Sequence, residues 1–148
     1  MHKHLFAGLL LLLLSACATT QDAATRVAPE RTMMVSTQLE KLKPALAQMM
    51  VSNGWTIESD SGMLLSFWKP SNDFWTNVLL GSQYDPTVRL RVSFQLIGDN
   101  PVNLSYHAYI VTNPGSAFER LTDVTYSQGL DSFQQRLETL KLQLEAGT

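Results

Sequence analysis

Few residues in this 148-residue chain have the type and spacing that chemistry demands. Of its three histidines, His2 and His4 sit at the extreme N-terminus, which leaves His107 in the body of the chain. A zinc site would have to combine His107 with carboxylates, an uncommon donor set. Ser-His-Asp catalysis would need His107 as its base, and no G-x-S-x-G elbow is present. The plainer reading sets His107 beside Ser105 and Tyr109 on the polar face of a strand. Glu58 and Asp60 share one side of a strand, the carboxylate pairing that glycoside cleavage uses, but two acids at a hairpin end are ordinarily solvated. No glycine-rich phosphate loop occurs. Arg89 and Arg91 fall on one strand face with Gln95, His107 and Tyr109. Such a face suits an anionic group, a lipid phosphate or a carboxylate, and is otherwise an ordinary hydrated surface. The pattern as a whole predicts no enzyme, no metal and no cofactor.

One residue remains, the lone cysteine, Cys17. A single thiol excludes a disulfide framework. Its surroundings are informative. Met1-His2-Lys3-His4 is short and basic, Leu5 to Leu14 is an apolar run, and Ser15-Ala16-Cys17 follows at once. That is the layout of a secretory signal, with a run about half the ~20 residues that a spanning helix needs. Leu14-Ser15-Ala16-Cys17 resembles the lipobox of bacterial lipoprotein precursors. The resemblance implies cleavage before Cys17, diacylglycerol on its thiol and a palmitate-type acyl group on the new amino terminus. Ala18, standing where an Asp implies retention in the inner membrane, implies the outer membrane, facing the periplasm. Several acyl chains anchor stably where one anchors weakly. Ala16-Cys17-Ala18 also fits an ordinary signal-cleavage site, which would release a soluble secreted protein. The 11 basic and 13 acidic residues nearly balance, so the basic excess of a nucleic-acid binder is missing.

Beyond residues 1–16, the sequence divides into a lipidated tether over 17–33 and one domain over 34–148. The tether is rich in Ala, Thr, Gln and Arg and has no apolar period. A first helix is expected over Ser36–Ser52, with Leu39, Leu42, Leu46, Met49 and Met50 on one stripe, Ser36 or Thr37 as cap and Asn53-Gly54 as stop. Pro44 implies a kink or a later start. Trp55–Glu58 and Met63–Trp68 read as a hairpin around Asp60-Ser61-Gly62. Thr87–Ile97 and Val102–Val111 alternate clearly: Val88, Leu90, Val92, Phe94 and Leu96, then Leu104, Tyr106, Ala108 and Ile110, form one apolar face. Ala117–Leu121 is either an edge strand or a helical turn. A last helix, capped by Thr122 or Asp123, should run to Glu145 with Leu130, Phe133, Leu137, Leu140 and Leu144 inward.

The connection Ser71–Asp85 carries Phe74, Trp75, Val78, Leu79, Leu80 and Tyr84. So long a connection in a small domain is more often functional than idle. It fits a plug for one end of the core, a set of aromatic anchors for a protein partner, or a segment dipping into a bilayer or ligand. As partner-binding candidates it offers Phe74, Trp75, Val78, Leu79 and Tyr84.

Together the elements predict an α+β fold, a four-stranded antiparallel sheet (five with 117–121) with two helices packed on one face. This order, with its helix–Gly54-Trp55–strand junction, resembles the helix-grip domains of outer-membrane accessory lipoproteins, such as the C lipoprotein of the β-barrel assembly machinery. The resemblance implies a non-catalytic, periplasm-facing accessory or scaffold subunit, held to the membrane by its lipid and to another envelope protein by its surface. A second expectation is a carrier for an apolar or lipid-like ligand, with a cavity bounded by Trp55, Trp68, Phe94 and Tyr106. An envelope hydrolase, the third, requires acids converging on His107.

Overall fold

A computed structural model describes residues 30–70 and 88–147. The expected signal, Cys17 and the tether up to residue 29 lie outside the described residues. Among the described residues the chain order is β1 (Arg31–Val35), α1 (Leu39–Ser52), β2 (Thr56–Ser61), β3 (Leu64–Pro70), β4 (Arg89–Ile97), β5 (Val102–Thr112), β6 (Arg120–Asp123), a 3-10 turn (Gln128–Leu130) and α2 (Asp131–Ala146). The fold is α+β, with an antiparallel sheet in the order β1-β5-β4-β3-β2 and β6 also paired to β5.

The long central strands form where the alternation is strongest. Leu90, Val92, Phe94 and Leu96 of β4, and Leu104, Tyr106, Ala108 and Ile110 of β5, are all buried. They join one core with Leu42, Leu46 and Met50 of α1 and Phe133 and Leu137 of α2. Phe133 is the hub: its ring lies 5.4 Å from Tyr106, 6.1 Å from Trp55 and 6.2 Å from Phe94. The Tyr106 hydroxyl donates to Gln134 Oε1 at 2.8 Å, so this buried phenol is satisfied.

One strand exceeds the expected sheet and another is displaced. β1 begins at Arg31, where the composition suggests tether up to residue 33. β6 takes the edge-strand alternative for Ala117–Leu121 but lies over Arg120–Asp123, ending where a helix cap is expected. Each lies along part of β5: Arg31–Val35 opposite Val102–Tyr106, and Arg120–Asp123 opposite Tyr109–Thr112. In the gap, the Val124 N–H donates to the Ala108 carbonyl at 2.9 Å, and the Ala108 N–H donates to Thr125 Oγ1 at 3.0 Å. Asp123 does cap a free N–H, but that of Thr125, at 2.8 Å, closing a local turn. The last helix therefore starts only at Asp131.

The first helix also starts later than expected. Neither Ser36 nor Thr37 caps it; Gln38 holds that position without a side-chain bond. The Leu39 N–H finds the Asp99 carbonyl at 3.0 Å instead, and the Ser36 N–H finds Glu145 Oε1 at 2.8 Å. The helix runs through Pro44. Pro44 and Glu40, whose carbonyl loses its donor, are both exposed, so water can take the freed group. Asn53-Gly54 ends the helix as expected, with Asn53 Nδ2 donating to the Met49 carbonyl at 2.7 Å.

Two turn glycines make contrasting demands. Gly98, between β4 and β5, has φ of 92°, and a Cβ there would stand 2.8 Å from the Pro101 carbonyl oxygen. Gly62, between β2 and β3, has φ of 63° with open space around it. Gly98→Ala should cost about 1–3 kcal/mol, whereas Gly62→Asn should cost under about 1 kcal/mol, since Asn tolerates this conformation. Urea midpoints at unchanged m-value check both; equal costs would refute the contrast.

Candidate functional site

The polar face of the sheet is built by the odd-numbered residues of β4 and β5. Register places Trp68, Arg91, Tyr109 and Asp123 in one row across four strands, and Ser66, Ser93 and His107 in the next. Arg91 is the centre. Its Nη2 donates to Glu58 Oε1 at 2.7 Å, its Nε lies 2.7 Å from Glu58 Oε2, and its Nη1 reaches Glu119 Oε1 at 3.1 Å. Glu58 reaches inward because the β2–β3 register shifts between Ile57 and Ser59. Glu119 comes from the connection after β5, fixed by the Gly115 N–H on its Oε2 at 2.7 Å.

This arrangement revises the expected anion site at Arg89 and Arg91. Arg91 is neutralised from within the fold by two carboxylates. Arg89 lies over the Trp68 ring, 4.3 Å from its centroid. Glu58 and Asp60 do not act as a pair either, because Glu58 is bound to Arg91 and Asp60 to Lys43.

Desolvation draws the Arg91 guanidinium down, but Glu58 and Glu119 outweigh it and hold the group above its ordinary value. The Gly115 N–H, and then Arg91, hold the Glu119 carboxyl below the usual carboxylate range. Burial, and then the Asp123 carboxylate, push the Tyr109 phenol up, so it stays protonated as a neutral stacking surface.

His107 stacks on Tyr109, with ring centroids 5.8 Å apart, and its Nδ1 lies 3.5 Å from Asp123 Oδ2. An acid therefore does stand beside His107. The nucleophile does not follow: Ser93 faces His107 in the register, but its Oγ takes the Ser66 hydroxyl at 3.0 Å, and among the described residues no hydrogen bond joins Ser93 to His107. Among the described residues no group of three His, Cys, Asp or Glu is placed to hold a metal. The cavity expected between Trp55, Trp68, Phe94 and Tyr106 is not formed. Trp68 shares the polar face with Arg91, while Phe94 and Tyr106 are packed in the core on the opposite face, their rings 5.8 Å apart. Phe74, Trp75, Val78, Leu79 and Tyr84 lie outside the described residues.

Sequence reasoning missed one part of this face. Away from Arg91 it turns apolar: Leu64 lies opposite Gln95, and Ile97 and Met34 both lie opposite Asn103. These three are 49, 48 and 61 % exposed. The available signal was the alternation itself, which puts Ile97 on the polar side of β4.

No helix among the described residues is long and apolar enough to cross a membrane. In comparisons with protein-family models, curated proteins and solved structures, nothing matches the chain.

Replacing Arg91 with Met should destabilise the fold by about 1–3 kcal/mol, since two partly buried carboxylates lose their donor and face each other. Glu58→Gln should cost less, and the measurement is equilibrium urea unfolding. A Met variant as stable as the original would refute the network's role. Glu119 carries its own signature. With its folded pKa below the unfolded one, it adds stability above the ordinary value of 4.5, and that contribution is lost as pH falls through the folded value. The Gly115 amide resonance should accordingly titrate below pH 4.5 and lie flat in Glu119→Gln.

Proposed function

We propose that this chain is a non-catalytic lipoprotein of the outer membrane, a periplasm-facing accessory or scaffold subunit of an envelope complex. The observation that carries the reading is Leu14-Ser15-Ala16-Cys17 placed directly after a short apolar run. Cys17 bears the lipid, and residues 18–29 give the domain its reach. The two helices cover the apolar side of the sheet in helix-grip fashion and leave the polar side as the contact surface.

Two features of that surface support an interaction role. Its main cation is already paired, so a partner meets a nearly neutral platform whose register is set by hydrogen bonds. Beside the platform, Met34, Leu64 and Ile97 form an apolar margin, the kind of surface that gains most from being covered. The aromatic segment with Phe74, Trp75, Val78, Leu79 and Tyr84 is a second contact surface in this proposal.

A palmitate analogue fed to cells should label the protein, and Cys17→Ala should abolish both the label and fractionation with membranes. A photocrosslinking residue at Met34 or Ile97 should capture a discrete envelope protein in intact cells, while one at Leu142, exposed on α2, should not. Unchanged processing of Cys17→Ala would overturn the anchor. Equal capture from all three positions would overturn the contact surface.

A further inference from the structure

A second site lies away from the polar face, where the C-terminal end of α1 meets the start of α2. A cavity of about 190 Å³ is walled there by Trp55, Phe133, Met50 and Leu90, with Lys69 and Arg136 at its rim. It shares Met49, Asn53 and Arg136 with a groove of about 630 Å³ between α1 and α2, where Ala45, Leu140 and Leu144 line the wall together with Gln48, Thr139 and Gln143. The two spaces adjoin at the shared residues, the smaller at the cations and the larger between the helices.

The charges around these spaces are one-sided. Among the described residues neither Lys69 nor Arg136 makes an ion pair, and no carboxylate lines either space. Lys69 is held in place over the Trp55 ring, 5.0 Å from its centroid. The first turn of α2 borders the cavity through Ser132 and Phe133; it continues the 3-10 turn, whose Gln128 carbonyl takes the Asp131 N–H, so the positive bias there rests on Lys69 and Arg136 alone. At the end of α1, Asn53 Nδ2 covers the Met49 carbonyl, which removes part of the opposing negative end. Past the cations the lining changes character: Met49, Leu140 and Leu144 are only partly buried against the core. From Arg136 to Leu144 the helix rises about 12 Å, a length suited to a hydrocarbon chain.

We propose that the cavity at Lys69 and Arg136, with the α1–α2 groove that adjoins it, binds a single-chain anionic amphiphile, its acidic head between the two cations and its hydrocarbon along Met49, Leu140 and Leu144. A medium-chain fatty acid is the simplest ligand of this class, and an alkyl phosphate presents the same chemistry. The cations select the head, the thioether and leucines hold the chain, and a neutral alcohol of the same length lacks the first of these. This site goes beyond the accessory role and is independent of Cys17, so either proposal can fail alone.

The test uses the full chain purified from its cells, with a medium-chain fatty acid carrying a photoreactive group in its tail. Labelling should map to peptides containing Met49 and Leu140. An unlabelled fatty acid or alkyl phosphate should compete, and a fatty alcohol should not. Competition by one acid alone would name the head group. Arg136→Glu, alone and with Lys69→Glu, should cut labelling, by about tenfold for the pair, the scale of two partly screened charge contacts. Ala45→Trp, which narrows the groove and keeps the cations, should also remove the label. The thermal midpoint of Arg136→Glu should hold, because Arg136 is exposed and unpaired among the described residues. Equal competition by the alcohol, labelling unchanged in the charge variants, or labelling spread equally onto the exposed Phe118 would overturn the site.

Discussion

The architecture depends on satisfying both edges of β5. This strand is the longest in the sheet, spanning Val102–Thr112, and nearly all its residues are buried or half-buried. Its N–H and C=O groups have no water to turn to, so each needs a partner within the fold. β4 supplies one edge from Asn103 to Val111. The other edge is assembled from three unrelated pieces: β1, then Val124 and Thr125, then β6. Thr125, wholly buried, lends a hydroxyl where neither strand reaches. That splice brings Asp123 beside His107 and returns the chain to start α2 over the core.

The same splice governs the polar face. The connection from β5 to β6 must turn back on itself to supply the second edge piece, and in doing so it carries Glu119 to Arg91. From the opposite side of the sheet the β2 irregularity delivers Glu58. Arg91 thus ties both sides of the sheet to its centre. Charged side chains in this face act as internal braces, and the exposed apolar side chains lie at its margin. The cations at Lys69 and Arg136 have no such brace among the described residues, and the two regions differ in chemistry for that reason.

The central sheet was legible in the sequence because period-two alternation over 88–97 and 102–111 is decided locally by burial. The end of α1 was legible because Asn53-Gly54 has a specific local geometry. β1 was not, and β6 was so only as an edge-strand alternative over Ala117–Leu121. Each is four or five residues long, and the stability of each comes from β5, far away in sequence. Asp123 misled for a related reason: a carboxylate caps whichever free N–H lies two or three residues on, and here that N–H closes a turn. At the site, the shared face of Arg89 and Arg91 was readable. Their state was not, because Glu58 and Glu119 lie 33 and 28 residues from Arg91, and only the folded register brings them together.

β2 lies at the rim of the sheet, exposed throughout and paired only with β3 among the described residues. An open strand is a template on which another polypeptide can add itself, and molecules crowded together meet that hazard often. Here the template is spoiled. The irregularity at Glu58 breaks the even spacing that an incoming strand must match, and the Lys43–Asp60 ion pair sets two charged side chains beside it. The same irregularity that turns Glu58 toward Arg91 therefore also makes this rim a poorer template for an added strand.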